Sequence, residues 1–448
     1  MAAAGELQQR AMDALRSGRL DEAERCYREL LAAFRHPGVL SNLGLVLVAQ
    51  RRDAEAVEVF EQSLAARPGD ANTRLALANA LIQCGRAAEA LARCDELVAA
   101  VPSNRDARHN RAVALRALNR NEEAARELQS LLDSDPTDAD AEFNLALAEL
   151  MLGRHASAWR HYEARWRGRG AQPPLPGSSA PVWRPGESLA GRRVLVQAEQ
   201  GLGDSLQFLR WVPRLDRACA RVDLQVQAEL VALMRRTWPG RSIDALGAAP
   251  DPRIERRIGL MSLPLALGVL ADEPIDAYLH ADPARVEAWR AAWPAASGPR
   301  LGIAWRGNPA KRHDPQRSIP LAALQPWIEA VGARSGFVVA LQRDANAEER
   351  DWLARFPHVA VPGTRLRDFE DTAAVMESLD QVVSVDTSVI HLAGALGRPS
   401  VVLLKFSSDW RWGIDRPDGA TYASVRTLRQ PAPGQWEPVV RALIERLP

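Results

Sequence analysis

Lysine is nearly absent from this chain, because only Lys311 and Lys405 of its 57 basic residues are lysine. The 56 acidic residues leave a net charge of +1, which gives no argument for a nucleic-acid partner or a strongly acidic one. Where arginine is so favoured, a retained lysine is consistent with a need for a compact, flexible point charge, and coincidence is the alternative. Both lysines lie in the C-terminal third of the chain.

Long hydrophobic runs and cysteine pairs are also missing. No uninterrupted apolar stretch reaches ~18 residues, and no charged-then-apolar leader begins the chain, so neither a membrane span nor secretion is expected. The absence of a C-x-x-C pair predicts small buried thiols in a reducing compartment, and hence a cytoplasmic location. With 448 residues and 47% apolar content, we expect about three domains of an ordinary soluble protein.

The first 167 residues repeat. Ala56, Ala90, Ala124 and Ala158 are spaced 34 apart, and Ala23 precedes Ala56 by 33. The pattern predicts units of helix, turn and helix, whose small residues let neighbouring helices approach closely. It resembles the tetratricopeptide repeat, and about five units would form a stable solenoid.

One register of these repeats carries asparagine, at Asn42, Asn110 and Asn144, with Ala76 interrupting the series. An amide both donates to and accepts from a peptide bond. The register resembles the asparagine ladder of eukaryotic O-linked N-acetylglucosamine transferase, which implies a groove that binds a protein or peptide acceptor. The alternative is that asparagine simply suits the position structurally.

Domain boundaries follow from composition. Proline and glycine between residues 168 and 190 predict a linker, and strands alternate with helices from Gly191 onward. A second, shorter linker at Pro294–Pro299 divides this α/β part. We therefore predict a solenoid over 1–167, a linker over 168–190, and two Rossmann-like halves over 191–297 and 298–448.

A buried strand runs directly into a helix near the C-terminal end. Val382–Val385 form the strand, and Asp386, Thr387 and Ser388 place hydroxyls and free backbone N–H groups at the helix start. Such a terminus carries about half a unit of positive charge and binds phosphate readily. The alternative is that these residues only cap the helix.

A second strand–turn–helix site lies upstream. The strand Arg193–Ala198 is followed by Gly201, Gly203 and Asp204. The glycines would let the backbone turn sharply and approach a ligand, although an ordinary helix cap is again the alternative. Two such sites predict two Rossmann-like domains facing one cleft.

A cationic loop follows the strand Arg300–Trp305, at the strand end where such sheets bind ligands. It contains Lys311 and Arg317, and a solvated basic loop is the alternative interpretation. In order and spacing, these features are similar to the bacterial lipopolysaccharide heptosyltransferases, and most to those with tetratricopeptide repeats. The motifs that carry the resemblance are Gly203-Asp204, Trp305, Lys311 and Arg317, Leu341-Gln342, and Ser384–Ser388 with His391.

This resemblance implies an α-solenoid followed by a GT-B fold of two Rossmann-like domains. The first would serve the acceptor, and the second would bind a nucleotide sugar, with no further cofactor. The implied reaction transfers a sugar to an acceptor hydroxyl with inversion, and it is metal-independent because the α/β part has no D-x-D motif. The implied catalytic residues are Asp204 as general base and Lys311, and the donor-binding residues are Gly201, Gly203, Arg317, Gln342, Asp386, Thr387, Ser388 and His391.

Other functions stay open at this point. His391 could be a packing residue, and the whole protein could be a scaffold whose transferase domain is inactive. A GT-B epimerase acting on sugar nucleotides is a further enzyme alternative. A solenoid that binds a peptide fits a protein acceptor better than it fits an epimerase.

Overall fold

The computed structural model describes residues 2–168, 170–173, 175–177, 179–271, 273–294, 297–307, 315–414 and 416–448. It separates into two compact units, Met1–Ala148 and Glu149–Pro448. Lys311 lies outside the described residues. The domain boundaries predicted at residues 167, 190 and 297 stay predictions.

Paired helices confirm the predicted repeats. The alanines of the repeat register are completely buried, and a Cβ at Gly44 would overlap the Phe60 ring, so neighbouring helices do pack closely. The helices are α1 Ala2–Arg16, α2 Leu20–Ala33, α3 Pro37–Ala49, α4 Asp53–Ala66, α5 Ala71–Gln83, α6 Ala87–Ala100, α7 Arg105–Ala117, α8 Asn121–Ser134, α9 Ala139–Met151 and α10 His155–Tyr162.

A residue with positive φ follows the first helix of every pair. It is glycine at Gly18, Gly85 and Gly153, with φ of 74°, 76° and 74°. The equivalent positions are Arg51 and Asn119, with φ of 68° and 60°. The left-handed conformation ends a helix without strain only for glycine, so Arg51 holds a less favourable backbone conformation.

The first parallel sheet has the strand order β3-β2-β1-β4. Leu195 in β1 is paired with Asp223 in β2 and with Arg257 in β4. Its strands are β1 Arg193–Gln197, β2 Arg221–Val226, β3 Ile243–Ala245 and β4 Arg256–Gly259. The accompanying helices are α11 Leu202–Phe208, α12 Val212–Asp216, α13 Ala228–Thr237, α14 Leu263–Ala266 and α15 Pro283–Ala292.

The second parallel sheet has the strand order β10-β9-β8-β5-β6-β7, and its core contains buried residues of the sheet and of the helices Gln325–Ala333 and Glu437–Glu445. Its strands are β5 Arg300–Ala304, β6 Phe337–Ala340, β7 Val359–Ala360, β8 Gln381–Val385, β9 Ser400–Leu404 and β10 Val425–Arg429. Its helices are α16 Gln325–Ala333, α17 Ala347–Leu353, α18 Phe369–Glu377, α19 Ser388–Ala395 and α20 Glu437–Glu445.

Both sheets reverse their strand order next to the first strand. The order reverses between β1 and β4 in one sheet, and between β5 and β8 in the other. Ligands of open parallel sheets bind at the carboxyl ends of strands at such switch points. The turns after β1, β5 and β8 are therefore the places to look for a site, and two parallel sheets of this kind are consistent with the predicted GT-B fold.

Part of the segment predicted as a linker is ordered against the first sheet. The Trp183 N–H donates to the Arg257 carbonyl at 2.8 Å, and the Arg257 N–H donates to the Pro181 carbonyl at 3.1 Å. Leu175 and Trp183 are both buried. Residues 181–183 of the predicted linker therefore pair with β4.

Candidate active site

The turn after β8 leads into α19 through an N-cap at Thr387. Its backbone is extended, with φ −140° and ψ 176°, and its hydroxyl accepts from the Val389 N–H at 3.3 Å. Within the described ranges, the Ser388 N–H has no hydrogen-bond partner. Thr387 therefore caps the helix, as the simpler interpretation held, while a neighbouring N–H stays available for an anion.

Asp386 lies beside His391 at this helix start. The Asp386 Oδ1 and His391 Nε2 atoms are 3.6 Å apart. Burial alone would raise the pKa of Asp386, but the neighbouring His391 outweighs it and holds that pKa below its ordinary value. Asp386 is thus a carboxylate at neutral pH, and it orients the imidazole.

The opposite side of the His391 ring is also held. Its Nδ1 lies 3.1 Å from the Tyr422 hydroxyl, and the ring stacks on Trp412 with centroids 5.6 Å apart and planes 25° apart. Only 4% of His391 is exposed. The histidine is therefore a packed residue with a fixed ring orientation, one edge of which faces Asp386.

The turn after β1 begins α11 with Gly201 as its N-cap. Asp204 is the third residue of this helix, and its Oδ2 accepts from the Gly201 N–H at 2.8 Å. Its Oδ1 accepts from the Nη2 of Arg411, which follows β9. Asp204 accordingly satisfies the N–H of the N-cap residue from inside the first turn, and it also forms an ion pair that the sequence did not predict.

Arg411 is almost completely buried, and each of its three side-chain nitrogens donates a hydrogen bond. The Nε donates to Gln207, the Nη2 to Asp204, and the Nη1 to Asp409 at 2.7 Å. Burial lowers the pKa of Arg411, but the charges of Asp409 and Asp204 more than offset this and raise that pKa overall. Its charge is permanent, and it holds the Asp204 carboxylate in place.

The two helix starts lie directly against each other. A Cβ placed on Gly203 would be 2.8 Å from His391 Cδ2 and 3.5 Å from the Ser388 Cα. Only a residue without a side chain permits this approach. The structure therefore brings Gly203 and Asp204 of one predicted site together with Ser388 and His391 of the other.

The remaining predicted donor-binding residues lie at the ends of β5 and β6. Gln342 is buried; its amide donates to Asp344 at 2.6 Å, and its carbonyl accepts from the Arg306 N–H at 3.3 Å. The Arg317 guanidinium covers Gly307, where a Cβ would collide with it. Gln342 thus holds the backbone at Arg306, and the Arg317 cation lies against Gly307.

The asparagines of the repeats differ in their surroundings. Asn42 lines a cavity of about 430 Å³ together with Phe34 and Leu45, which are more than one-third exposed. The Asn144 amide is fully engaged: it donates to the Asp140 carbonyl at 2.9 Å and accepts from Arg116 at 2.8 Å, and its nitrogen lies 3.1 Å from His109 Nε2. Asn42 thus lines an open cavity, whereas Asn144 bonds its own helix and the first helix of the preceding repeat.

Family models match both parts of the chain. Tetratricopeptide-repeat models match residues 9–71 and 109–173, and a further one matches residues 47–116. The model described as glycosyltransferase family 9 (heptosyltransferase) matches residues 341–435, which include Gln342, the β8–α19 turn and Arg411. The chain joins tetratricopeptide repeats to a glycosyltransferase family 9 domain.

Protein FlbA of Caulobacter vibrioides is similar over much of this chain. The two are 29% identical over 309 residues, which is 63% of this chain and 50% of FlbA. This chain therefore aligns with about half the length of that relative.

No described helix is long and apolar enough to cross a membrane.

Two solved structures resemble the chain in part. MamA from residue 41 to its end, from Desulfovibrio magneticus RS-1, is 23% identical, with TM-score 0.34, over 36% of this chain and 91% of that one. A tetratricopeptide repeat protein from Parabacteroides merdae ATCC 43184 is 19% identical, with TM-score 0.34, over 37% of this chain and 66% of that one. At such TM-scores, neither likeness bears on function.

Sequence reasoning missed three residues at the contact between the helix starts of the transferase domain: Arg411, Trp412 and Tyr422. The first two belong to the run Asp409-Trp-Arg-Trp412 after β9. An arginine between two tryptophans at a strand end was a usable signal, because arginine stacks on aromatic faces; Arg411 lies 4.5 Å from the Trp410 ring centroid. Tyr422 had no such signal.

Proposed function

We propose that this protein transfers a sugar from a nucleoside-diphosphate donor to an acceptor hydroxyl, with inversion and without a metal ion. The observation that carries the proposal is the approach of Gly203 to His391, because it puts two strand–turn–helix sites at one place. Each sheet contributes the turn that follows its switch point. A family 9 transferase domain agrees with this chemistry.

The donor diphosphate would lie at the start of α19. As the bond between the sugar and the β-phosphate breaks, negative charge grows on the phosphate oxygens. The Ser388 N–H and the positive end of the helix dipole stabilise that charge without moving, and His391 and Arg317 add to the effect. Lys311, in the loop that carries Arg317, would be a further cation.

Asp204 would accept the proton of the acceptor hydroxyl. The acceptor oxygen forms a bond with the anomeric carbon while the nucleoside diphosphate departs with the electron pair of the broken bond, and the hydroxyl proton goes to the carboxylate. The ion pair with Arg411 holds the Asp204 carboxylate in a fixed position. A carboxylate in a fixed position contributes by being correctly oriented toward the acceptor hydroxyl. The acceptor oxygen becomes acidic as its bond to the anomeric carbon forms, and its proton then moves to Asp204.

The acceptor is proposed to be a polypeptide that binds the repeats. Asn42 opens onto a cavity with Phe34 and Leu45, so an extended segment could pair its backbone with the amide and bury an apolar side chain. Asn110 occupies the same repeat register and is half-buried. Asn144 would join them only by giving up its present partners.

A thermal-shift titration of the full chain with ADP, GDP and UDP tests donor binding. A diphosphate at a hundredfold excess over its Kd should stabilise the fold by about 2.7 kcal/mol. The informative variant is Ser388→Pro, which removes one N–H at the first helical position, where proline is tolerated. It should weaken binding about 10- to 150-fold, since a hydrogen bond to a charged group contributes about 1.5–3 kcal/mol.

The matched control is Ala71→Pro, at the first position of α5 in the repeats. It makes the same chemical change and should leave diphosphate binding unaltered. If no diphosphate stabilises the protein, the donor proposal is wrong and the inactive-scaffold interpretation gains support. If Ser388→Pro binds as tightly as the natural protein, the diphosphate lies elsewhere.

A further inference from the structure

An ion pair buried beside the turn after β1 involves a residue from the repeat-like N-terminal part of the sequence. The Arg165 side chain is 1% exposed and that of Glu199 is 2% exposed. The Arg165 Nη2 donates to both Glu199 oxygens, at 3.0 and 3.1 Å, and its Nε donates at 3.2 Å. Arg165 lies in a 3-10 turn, Glu163–Trp166, that directly follows α10.

The Glu199 carboxylate is fixed by further contacts. The Met261 N–H donates to its Oε1 at 2.7 Å, and a Cβ on Gly259 would lie 2.8 Å from the same oxygen. Burial raises the pKa of Glu199, and Arg165 and the Met261 N–H offset part of that rise. The carboxylate thus fits a space that glycine leaves open at the end of β4.

The next residue of the turn is tied to the same helical segment. The Gln200 amide donates to the Tyr162 hydroxyl at 3.2 Å. The Gln200 carbonyl accepts from Gln227 at 2.9 Å, and Gln227 in turn accepts from the Ser205 hydroxyl at 2.9 Å. With Gly201 and Asp204 bonded to each other, the turn is held along most of its length.

An aromatic cluster extends these contacts to the Arg411 side of the site. Trp159 in α10 meets Phe208 and Trp410 edge to face, at centroid distances of 5.9 and 5.5 Å. Trp410 in turn covers the Arg411 guanidinium. The segment 155–166 therefore touches the elements that carry both members of the Asp204–Arg411 pair.

We propose that Arg165 and Tyr162 are positioning residues of the transferase site. They hold the turn 199–204 so that Gly203 lies against His391 and Asp204 pairs with Arg411. Neither residue touches a substrate; each acts through Glu199 or Gln200. The inference rests on the proposed function, since it assigns a purpose to the geometry of the turn, and it extends the site to a segment that sequence periodicity gives to the repeats.

Hydrogen exchange measured by mass spectrometry on the full chain tests the tether without any ligand. The informative variant is Arg165→Met with Glu199→Gln, which removes both charges of the pair. Glu163, whose side chain is 16% exposed, loses its contact with Arg165 as well but keeps its hydrogen bond from the Ser262 hydroxyl. Amides of Gly201–Asp204 should exchange about tenfold faster, because the turn opens more often. Tyr162→Phe is a milder variant, which removes only the oxygen that Gln200 bonds, and it should have a smaller effect at the same amides.

The matched control is Arg285→Met, which removes an ion pair with the buried Asp371, formed at 2.6 Å between α15 and α18. It should leave exchange at Gly201–Asp204 unchanged. Unchanged exchange in both the double variant and Tyr162→Phe would overturn the proposal, as would equal acceleration in the control.

Kinetics separate positioning from general stability. With a nucleotide sugar that the natural protein turns over, the double variant should lower kcat about 10- to 100-fold, the size of effect expected from misplacing a catalytic group. Its affinity for ADP should be unchanged, because α19 is intact. A loss of ADP affinity that follows the loss of kcat would instead indicate a structural role. If the natural protein turns over no nucleotide sugar, the proposed function fails, while the exchange result still decides the tether.

Discussion

Arg411 donates a hydrogen bond to Asp204 from a nearly buried position, and so joins the loop after β9 to the start of α11. The pair connects an element of the second sheet to one of the first. Its arginine is held by Asp409 and Gln207 as well, so Asp204 is bound to a rigid partner. The carboxylate proposed as the base is therefore an ordered group, whose loss has both a chemical and a structural effect.

Asp204→Asn should lower turnover about 10²- to 10⁴-fold, because the amide cannot take the acceptor proton. Initial rates with a nucleotide sugar give the effect on kcat, and ADP titration shows whether donor binding persists. Asp409→Asn is the control, since Asp409 shares the same arginine but its side chain is 37% exposed. It should change kcat only a few-fold. Equal losses in the two variants would show that Asp204 acts by holding Arg411.

The repeat asparagines should separate into two classes. The double variant Asn42→Ala with Asn110→Ala should weaken sugar transfer to a polypeptide while sparing hydrolysis of the donor. Each lost hydrogen bond should weaken binding of the polypeptide by about 0.5–1.5 kcal/mol. Asn144→Ala should instead lower the melting temperature, because its amide bonds Asp140 and Arg116. Undiminished transfer in the double variant would favour a lipid or saccharide acceptor.

His155 should make the protein less stable in acid. Burial and, secondarily, the charge of Arg416 lower the pKa of His155 to about 4, from 6.5 in the unfolded chain. Between these pH values only the unfolded chain binds the proton. The free energy of unfolding therefore decreases as the pH is lowered, by up to about 3 kcal/mol at pH 4. His155→Gln should make the free energy of unfolding, measured with urea, less dependent on pH over this range. The exposed His280, changed to glutamine, should not.

Arg51→Gly should stabilise the repeats. Arginine at φ 68° costs more than glycine in this conformation, and the gain should be about 0.5–1 kcal/mol in the free energy of unfolding. Gly85→Ala, one repeat later at φ 76°, makes the opposite change and should lose about 1 kcal/mol. Urea denaturation of the full chain measures both. Changes of the same sign would contradict the interpretation.

The sequence predicted helices and strands correctly where the hydrophobic or repeat pattern of an element is visible within that element. The strand Val382–Val385, the helix after Thr387 and the strand that follows all confirm the interpretation of that segment. The repeats were visible because buried alanine recurs at one spacing. Asp204 at the start of α11 followed from glycine and aspartate chemistry alone.

Partners distant in sequence could not be predicted in this way. Arg411 meets Asp204 across 207 positions, and Arg165 meets Glu199 across 34, and neither pair lies within one periodic element. The capping residue of α11 is Gly201, with Asp204 as the third residue of the helix. The roles of Lys311 and the rest of the donor loop stay predictions, as does every assignment to substrate.

The placement of α10 matters for anyone who exchanges modules between such proteins. The repeat period suggests a crossover point after residue 167, where one helical array ends and another could be attached. The packing places the boundary earlier in the sequence. Residues Glu149–Pro448 form one compact unit, and Trp159 and Arg165 lie inside it. A chimera joined after residue 167 would import a foreign helix into the interior of this unit, whereas one joined before Glu149 would exchange repeats and leave that interior intact.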